Sequence, residues 1–308
     1  MRWNGARTAG VCVTFFLLIG TGAVAGCSSE PAGDRRNRDA AVRDAEQRSR
    51  RDERARQVAE AWDGSKAAVR WREGYYPMAA EVQLPKQGLR SLADKRAYAR
   101  QNFVLRGELP AAKDREGRVR WEDGSSLERP LLGAGAVYET LDRNGSFDPP
   151  YLTVTEVELG EMALRTSRGP ATVPAWLFTL KGYETPLKRA AVQASEAPLS
   201  PLEPFGPRDE VPDDLLEPVS RLVDVAADGR SVTVAALHGA CDDGLEMDAL
   251  ETDGSVVLWA AVTGTQQGAC QSVGLEDEVT VDLAAPLDNR VLLDAFTGRP
   301  VRYAQARG

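Results

Sequence analysis

The pattern of apolar and polar positions from residue 63 onward is typical of β-strands, because short apolar segments alternate with turn signals. Residues 151–159 alternate with a period of two, as a strand with one buried face does. Further strands are predicted over 67–72, 79–84, 102–107, 161–167, 172–180 and 187–193. Short helices are predicted over 89–101 and 131–142, so this part of the chain should mix helices and strands.

Turn signals that contain glycine or proline predict where the strands fold back. Asp123-Gly124, between Val119 and Leu127, predicts one hairpin. Residues 219–308 hold three further signals, which are Asp228-Gly229, Asp253-Gly254 and the run 286–289. Three hairpins in a row predict an antiparallel meander or a small sandwich. The predicted strand pairs are 222–225 with 231–237, 245–251 with 255–262, and 278–284 with 290–295.

Two segments lack strand character. Residues 38–62 are rich in Arg, Glu and Ala, with oppositely charged neighbours at helical spacing such as Asp39 and Arg43, and they predict a solvated helix with a thin apolar stripe. This helix would be a spacer that holds the body off the membrane. A helix that binds a partner and a fraying, disordered tether are the alternatives. Residues 194–218 contain six prolines, which block sheet pairing, and we interpret them as an acidic linker between two domains. A strap that crosses one domain is the alternative interpretation.

The first 26 residues have the order of a secretory signal peptide. Arg2 and Arg7 precede the apolar run 11–20, and small residues follow. This run is shorter than the roughly 20 residues that a membrane-spanning helix needs. An uncleaved N-terminal anchor is the alternative.

Val24-Ala25-Gly26-Cys27 resembles the lipobox of bacterial lipoproteins. The resemblance implies that the thiol of Cys27 is joined to diacylglycerol and that the chain is cut before this residue. Acyl chains such as palmitate would then hold the mature protein in the membrane, each buried CH2 group contributing about 0.8 kcal/mol. An ordinary signal peptide with a chance cysteine is the alternative.

The predicted fold class is therefore α+β and β-rich, with two mainly antiparallel β domains joined by a Pro-rich linker. The predicted segments are a signal peptide over 1–26, a lipid anchor and charged helical tether over 27–62, an α+β domain over 63–193, the linker over 194–218 and a β domain with a disulfide over 219–308.

The charge of the chain argues against nucleic-acid binding. The net charge is −8, and since residues 1–60 carry +3, residues 61–308 carry −11. A body this acidic repels phosphates, whose binding needs clustered Lys and Arg. The sequence also lacks a phosphate-binding loop and a dinucleotide fingerprint, so no cofactor is expected.

Cys241 and Cys270 are the thiols that remain after processing, besides Cys27. Export would put them in an oxidising place, where a pair within one small domain usually bonds. A disulfide over this loop would stabilise the fold by roughly 3.5 kcal/mol. Free thiols and a metal site are the alternatives, although a metal needs more ligands than the single histidine supplies.

Few residues suggest catalysis. His238 is the only histidine and lies three residues before Cys241, but no Gly-x-Ser-x-Gly motif accompanies it, so we interpret it as polar surface. The segment from Asp142 to Asp148 is superficially similar to a calcium-binding loop. Its glycine falls one place early and its twelfth position is Thr153, so we interpret it as a turn.

Trp71, Tyr75 and Tyr76 are a candidate ligand-binding group. Stacked aromatic side chains bind sugars in cell-wall modules. Packing on a sheet is the alternative interpretation.

Residues 118–132 and 165–192 resemble a group of secreted or lipid-anchored proteins from Streptomyces-like actinobacteria. The hairpin, the short helix and the run SRGPATVPAW recur there in this order, and residues 281–301 have a similar character. The group is functionally uncharacterised, so the resemblance implies a compartment and a fold but no catalytic residue. Its members often carry cysteines near the segment matching 145–150, where this chain has none.

We therefore expect a non-enzymatic lipoprotein on the extracytoplasmic face of the plasma membrane, which is the partner of its N-terminal lipid. Its body would bind a cell-wall polymer, an envelope protein or a small solute. The alternatives are an extracytoplasmic hydrolase with an unrecognised site and a purely structural envelope spacer. A cleft that brings His238 or paired carboxylates together would favour the hydrolase.

Overall fold

The computed structural model describes residues 32–111, 116–264 and 273–304, with 32–37 described by their backbone alone. The chain divides into two compact units, residues 1–44 and 45–308. The described residues form 13 strands and four helices, which confirms the α+β, β-rich class. Both predicted β domains fall within the second unit, and the boundaries between them stay predictions.

Helix α1 (Ala32–Trp62) forms where a charged helix is predicted, but its last turns are not solvated. One face of these turns is buried and consists of Arg51, Arg54, Ala55, Val58, Ala59 and Trp62. Their spacing of three and four residues is that of a single helix face. The interpretation as a solvated tether is therefore wrong for the end of the helix, which packs within the second unit.

Helix α2 (Lys66–Glu73) replaces the strand predicted over 67–72, so that prediction is wrong. The hydroxyl of Ser65 caps the helix by accepting a hydrogen bond from the amide of Ala68. Ala68 and Trp71 are its buried residues. The apolar positions that suggest a strand are thus the contacts of a short amphipathic helix.

The first sheet has seven strands, and its centre is the long hairpin of β5 and β6. Strand β6 pairs with β5 along its length, and it also pairs with both β7 and β3. Val119 lies opposite Leu127, which confirms the predicted hairpin at Asp123-Gly124. The strands are β1 (Val82–Gln83), β2 (Phe103–Leu105), β3 (Glu116–Trp121), β4 (Ser126–Pro130), β5 (Leu152–Thr166), β6 (Gly169–Leu180) and β7 (Leu187–Ala190).

Alternate residues of β6 serve two separate cores. Trp176 and Phe178 belong to one core, together with residues of α3 (Leu92–Ala99) and α4 (Ala134–Leu141). Val173 and Ala175 belong to the second core on the opposite face. This alternation is the period-two pattern of a strand that is buried on both faces. Both helices lie within the ranges predicted for them.

The C-terminal strands form two three-stranded sheets, in the orders β10-β11-β13 and β12-β9-β8, and both contribute to one core. This arrangement agrees with a small sandwich. Every residue of β11 except the last is buried. The strands are β8 (Val219–Val225), β9 (Ser231–Gly239), β10 (Gly244–Glu251), β11 (Ser255–Thr263), β12 (Gly274–Asp282) and β13 (Val291–Asp294).

The hairpins at Asp228-Gly229 and Asp253-Gly254 are confirmed, but the third hairpin is wrong. Strand β12 pairs with β9, whereas β13 lies parallel to β11 in the other sheet. Where the connection reaches the second sheet, Arg290 lies 2.8 Å from Oε2 of Glu251 on β10, and the amide of Val291 donates to the carbonyl of Gly254. Tertiary hydrogen bonds therefore override the local turn signal.

Residues 194–218, which we call the strap, run along the C-terminal sheets. The amide of Phe205 donates to the carbonyl of Phe296, and that of Glu217 donates to Ala260 in β11. Leu215 and Leu216 are buried. A segment held in this way agrees with the strap alternative rather than with a free linker.

Candidate functional site

The end of helix α1 is fastened by a buried arginine, Arg51. Its Nε donates to the carbonyl of Leu215 (2.8 Å), and its Nη2 donates to that of Asp214. Its Nη1 lies 3.1 Å from Oε2 of Glu246, and its guanidinium lies 4.8 Å from the ring centre of Trp259. The buried cation is tolerated because each nitrogen has an acceptor and an aromatic face covers the group.

Arg54 makes a similar set of contacts. Its Nε donates to the carbonyl of Ala295 (2.8 Å) and its Nη2 to that of Glu203 (2.7 Å). Its guanidinium also lies 5.7 Å from the ring of Phe205. Burial lowers the pKa of Arg54, and the charge of Asp294 opposes that shift. Since Glu203 and Phe205 belong to the strap, this side chain ties the strap to the helix.

Trp62 ends the buried face, fully enclosed, and its Nε1 donates to the carbonyl of Gly298 (2.8 Å). We call residues 51–62 and the groups that they touch the helix dock. Sequence reasoning missed it because the two arginines were assigned to solvent. The spacing of Ala55, Val58 and Trp62 was the available signal, but the acceptors of the arginines appear only in the folded chain.

Two buried carboxylates lie beside the helix dock, and the first is Asp294 at the end of β13. It is 2% exposed. It accepts hydrogen bonds from the hydroxyl of Thr297 (2.6 Å) and from the amides of Thr297 (3.0 Å), Phe296 (3.2 Å) and Val219 (3.3 Å). Burial raises its pKa, and these bonds oppose the shift. Asp294 therefore holds the turn after β13.

The second buried carboxylate, Glu217 of the strap, has fewer partners. Its Oε1 pairs with the guanidinium of Arg208, which also lies 2.8 Å from Oδ1 of Asp213. Its Oε2 is buried and has no hydrogen-bond partner within the described part of the chain. Burial raises the pKa of Glu217 to about 7; Arg208 opposes that shift, and the charges of Asp213 and Asp294 add to it.

A pair of interacting carboxylates suits general acid–base chemistry only where a substrate can reach it. Glu217 and Asp294 are each 2% exposed, and neither lines the two clefts described below. The contacts of the pair hold the strap and the turn after β13.

His238 lies on β9 and is buried, so its interpretation as polar surface is wrong. Its Nδ1 lies 2.9 Å from the carbonyl oxygen of Gly239, and its Nε2 lies 3.1 Å from Oδ2 of Asp277 on β12. The contact with Asp277 crosses from β9 to its paired strand β12, whereas the contact with Gly239 stays within β9. Within the described residues, Nε2 has no hydrogen-bond partner.

Trp71, Tyr75 and Tyr76 are buried, so they do not form an exposed platform for a sugar. The rings of Trp71 and Tyr76 stack at 4.0 Å, and the hydroxyl of Tyr76 donates to the carbonyl of Glu196 in the strap. Trp71 and Tyr76 belong to the C-terminal core, whereas Tyr75 belongs to a core of the first sheet. The geometry agrees with the packing interpretation.

Cys27 and Cys270 lie outside the described residues, so lipid attachment and the disulfide with Cys241 stay predictions. Cys241 lies in the turn between β9 and β10. The side chain of Asp142 accepts two backbone amides at 3.2 Å, as expected of a turn. No cluster of metal-ligating side chains occurs among the residues that the structure describes.

The described residues line at least two surface clefts. A cleft of about 140 Å³ lies between the β5–β6 turn and the loops 226–229 and 286–290. A groove of about 420 Å³ lies on the first sheet, where Arg118, Arg120 and Thr172 are among its lining residues. Both arginines form ion pairs of 2.6 Å with glutamates of the same sheet. The groove is therefore open and mixed in charge, and its lining also includes apolar groups such as Trp121 and Pro170.

The helices that the structure describes include none that is long and apolar enough to cross a membrane. Comparisons of the chain with protein-family models, with curated proteins and with solved structures find no match.

Proposed function

We propose that this protein is a non-enzymatic lipoprotein of the cell envelope whose anchored body binds a wall polymer or an envelope protein. The observation that carries the proposal is Val24-Ala25-Gly26-Cys27, directly after a short apolar run. A cysteine in this place lies where a lipid donor at the membrane surface could reach it. Two or more acyl chains suffice for stable anchoring.

The helix dock supports the anchoring role. Helix α1 ends in a face that Arg51, Arg54 and Trp62 fasten to the strap and to the turn after β13. The body is therefore attached through many contacts rather than through a loose joint at residue 62.

The groove on the first sheet is the surface that best suits binding. It combines small side chains, such as those of Ala163, Ser126 and Thr172, with the paired arginines 118 and 120. An extended polar ligand could exchange hydrogen bonds with such a surface. The one aromatic side chain among the lining residues is that of Trp121, which is 5% exposed and lies 3.8 Å from the guanidinium of Arg168.

Replacing the predicted lipid attachment residue, Cys27→Ser, should move the protein from the membrane fraction to the soluble or secreted fraction. The hydrophobic free energy of the acyl chains is lost, so we expect the membrane-bound share to fall about tenfold or more. Cell fractionation with immunoblotting measures it. Cys12→Ser is the matched control, since Cys12 lies in the predicted signal peptide and should leave retention unchanged. Equal membrane retention of Cys27→Ser and wild type would reject the anchor.

A bulky side chain in the groove, Thr172→Trp, should weaken retention of the purified protein on cell-wall or envelope-protein fractions by about tenfold, because the ligand is displaced. Thr280→Trp, at an exposed position of β12, is the control and should bind as wild type does. If neither fraction retains the wild-type protein, the binding role is lost while the anchor is untouched.

A further inference from the structure

Glu217 is a buried acid whose surroundings do not fully compensate its charge. One carboxylate oxygen pairs with Arg208, and the other is enclosed without a hydrogen-bond partner within the described residues. Burying an ionised carboxylate costs much more free energy than burying a neutral carboxyl group. This position therefore favours the protonated form.

The charges that face the site leave it one proton short of neutrality. From the strap, Glu217 faces Arg208 and Asp213, and from the end of β13 it faces Asp294. Arg54 of α1 interacts electrostatically with Asp294, and its guanidinium is the second positive charge of this cluster, after that of Arg208. With all groups ionised, three carboxylates face two guanidinium groups, so one added proton balances the cluster.

The same stretch of strap receives the helix. The backbone carbonyl of Asp213 accepts a hydrogen bond from the amide of Val262, and the amide of Glu217 donates to the carbonyl of Ala260. Both ends of this stretch are therefore bound to β11. Between them, the carbonyls of Asp214 and Leu215 accept Arg51. A negative charge on the side chain of Glu217 would therefore weaken the packing of the part of the strap that contacts the end of α1.

We propose that residues 208–217 of the strap form a pH-responsive latch, in which protonation of Glu217 holds the strap and the docked end of α1 in place and loss of that proton loosens both. The direction follows from linkage. Burial raises the pKa of Glu217 in the folded chain to about 7, above its ordinary value of 4.5. Such a group stabilises the closed strap fully below about pH 4.5, and this stabilisation is lost as the pH rises through about 7. A role for the latch at the cell surface rests on the proposed function, whereas the latch itself does not.

Hydrogen exchange measured by mass spectrometry on the purified full chain tests the latch. Rates for residues 208–217 and 47–62 are compared at pH 5.5, 6.5, 7.5 and 8.5 after correction for the intrinsic pH dependence. In wild type we expect protection of both segments to fall about tenfold between pH 5.5 and 8.5. In Glu217→Gln, which mimics the protonated side chain, protection should stay constant. Glu210→Gln, an exposed position of the same strap, should behave as wild type does.

The variant Arg208→Met, measured by the same hydrogen-exchange experiment, is a second test of the latch. It stays informative even if Glu217→Gln does not fold. Removing the guanidinium removes the group that favours the ionised form, so the midpoint of the wild-type transition should move to higher pH. A flat wild-type profile, an unchanged slope in Glu217→Gln, or an unchanged midpoint in Arg208→Met would overturn the latch. Membrane retention is unaffected by any of these results, so they are distinguishable from failure of the anchor.

Discussion

The variant Trp62→Ala should lower the free energy of unfolding by about 3–5 kcal/mol, because it removes a fully buried indole and its hydrogen bond to the carbonyl of Gly298. A solvated tether predicts no loss at this position, so the size of the effect decides between the two pictures of the helix end. Chemical denaturation of the purified chain, followed by tryptophan fluorescence and circular dichroism, measures it.

Two further variants separate the contributions at the helix dock. Trp62→Phe keeps most of the apolar area but loses the donor, so about 1–2 kcal/mol should be lost. Arg56→Ala lies on the exposed face, where Arg56 pairs with Glu53, and should stay within about 0.5 kcal/mol of wild type. A loss for Trp62→Ala no larger than that for Arg56→Ala would show that the helix end is not docked.

The variant Asp294→Ala should cost about 3–5 kcal/mol of stability. Its carboxylate accepts four hydrogen bonds, and its removal leaves buried amides of Val219, Phe296 and Thr297 without that acceptor. It also removes the negative charge that supports Arg54 in its buried position. The thermal or denaturant midpoint of the variant measures the loss.

Asp282→Ala provides the comparison for Asp294→Ala, because Asp282 is an exposed carboxylate at the end of β12. It should change stability by no more than about 0.5 kcal/mol. Asp294→Asn should be intermediate, because the amide retains one acceptor oxygen but turns two donors toward backbone amides. Equal stability of Asp294→Ala and Asp282→Ala would contradict the structural role of Asp294.

The acidic side chains and the histidine that a hydrolase could use lie in the interior of the protein. A hydrolase would need paired carboxylates or His238 at an accessible surface. Glu217, Asp294 and His238 are all buried, and their partners belong to the strap, the turn after β13 and the paired strands β9 and β12. Their contacts hold the strap, the turn after β13 and the pair of strands β9 and β12.

Local sequence was sufficient where neighbours along the chain supply the structure. Asp123-Gly124, Asp228-Gly229 and Asp253-Gly254 each join strands that pair directly, since a short turn fixes the register of a hairpin. The capping box of Ser91 and Asp94 likewise starts the predicted helix α3. In these cases the groups that form the hydrogen bonds lie within a few residues of one another.

Local sequence failed where the partner lies far along the chain. The turn signal at residues 286–289 predicts a hairpin, yet β13 pairs with β11. Its contacts lie more than 30 residues earlier, since Arg290 donates to Glu251 and the amide of Val291 donates to the carbonyl of Gly254. The arginines of α1 look solvated until Leu215 and Ala295, more than 160 residues later, supply the acceptors. The spacing of neighbouring residues in the sequence predicts neither interaction.

The amino-acid sequence by itself determined the β-rich class, the positions of most strands, the charged helix and the lipobox-like segment at Cys27. Only the tertiary structure decided that the helix end is docked, that the strap lies on the C-terminal sheets, and that Glu217 and Asp294 are buried together. The physical reason is that periodicity records which side chains avoid water. The charge state and partner of a buried polar group depend on atoms that folding alone brings within hydrogen-bond distance.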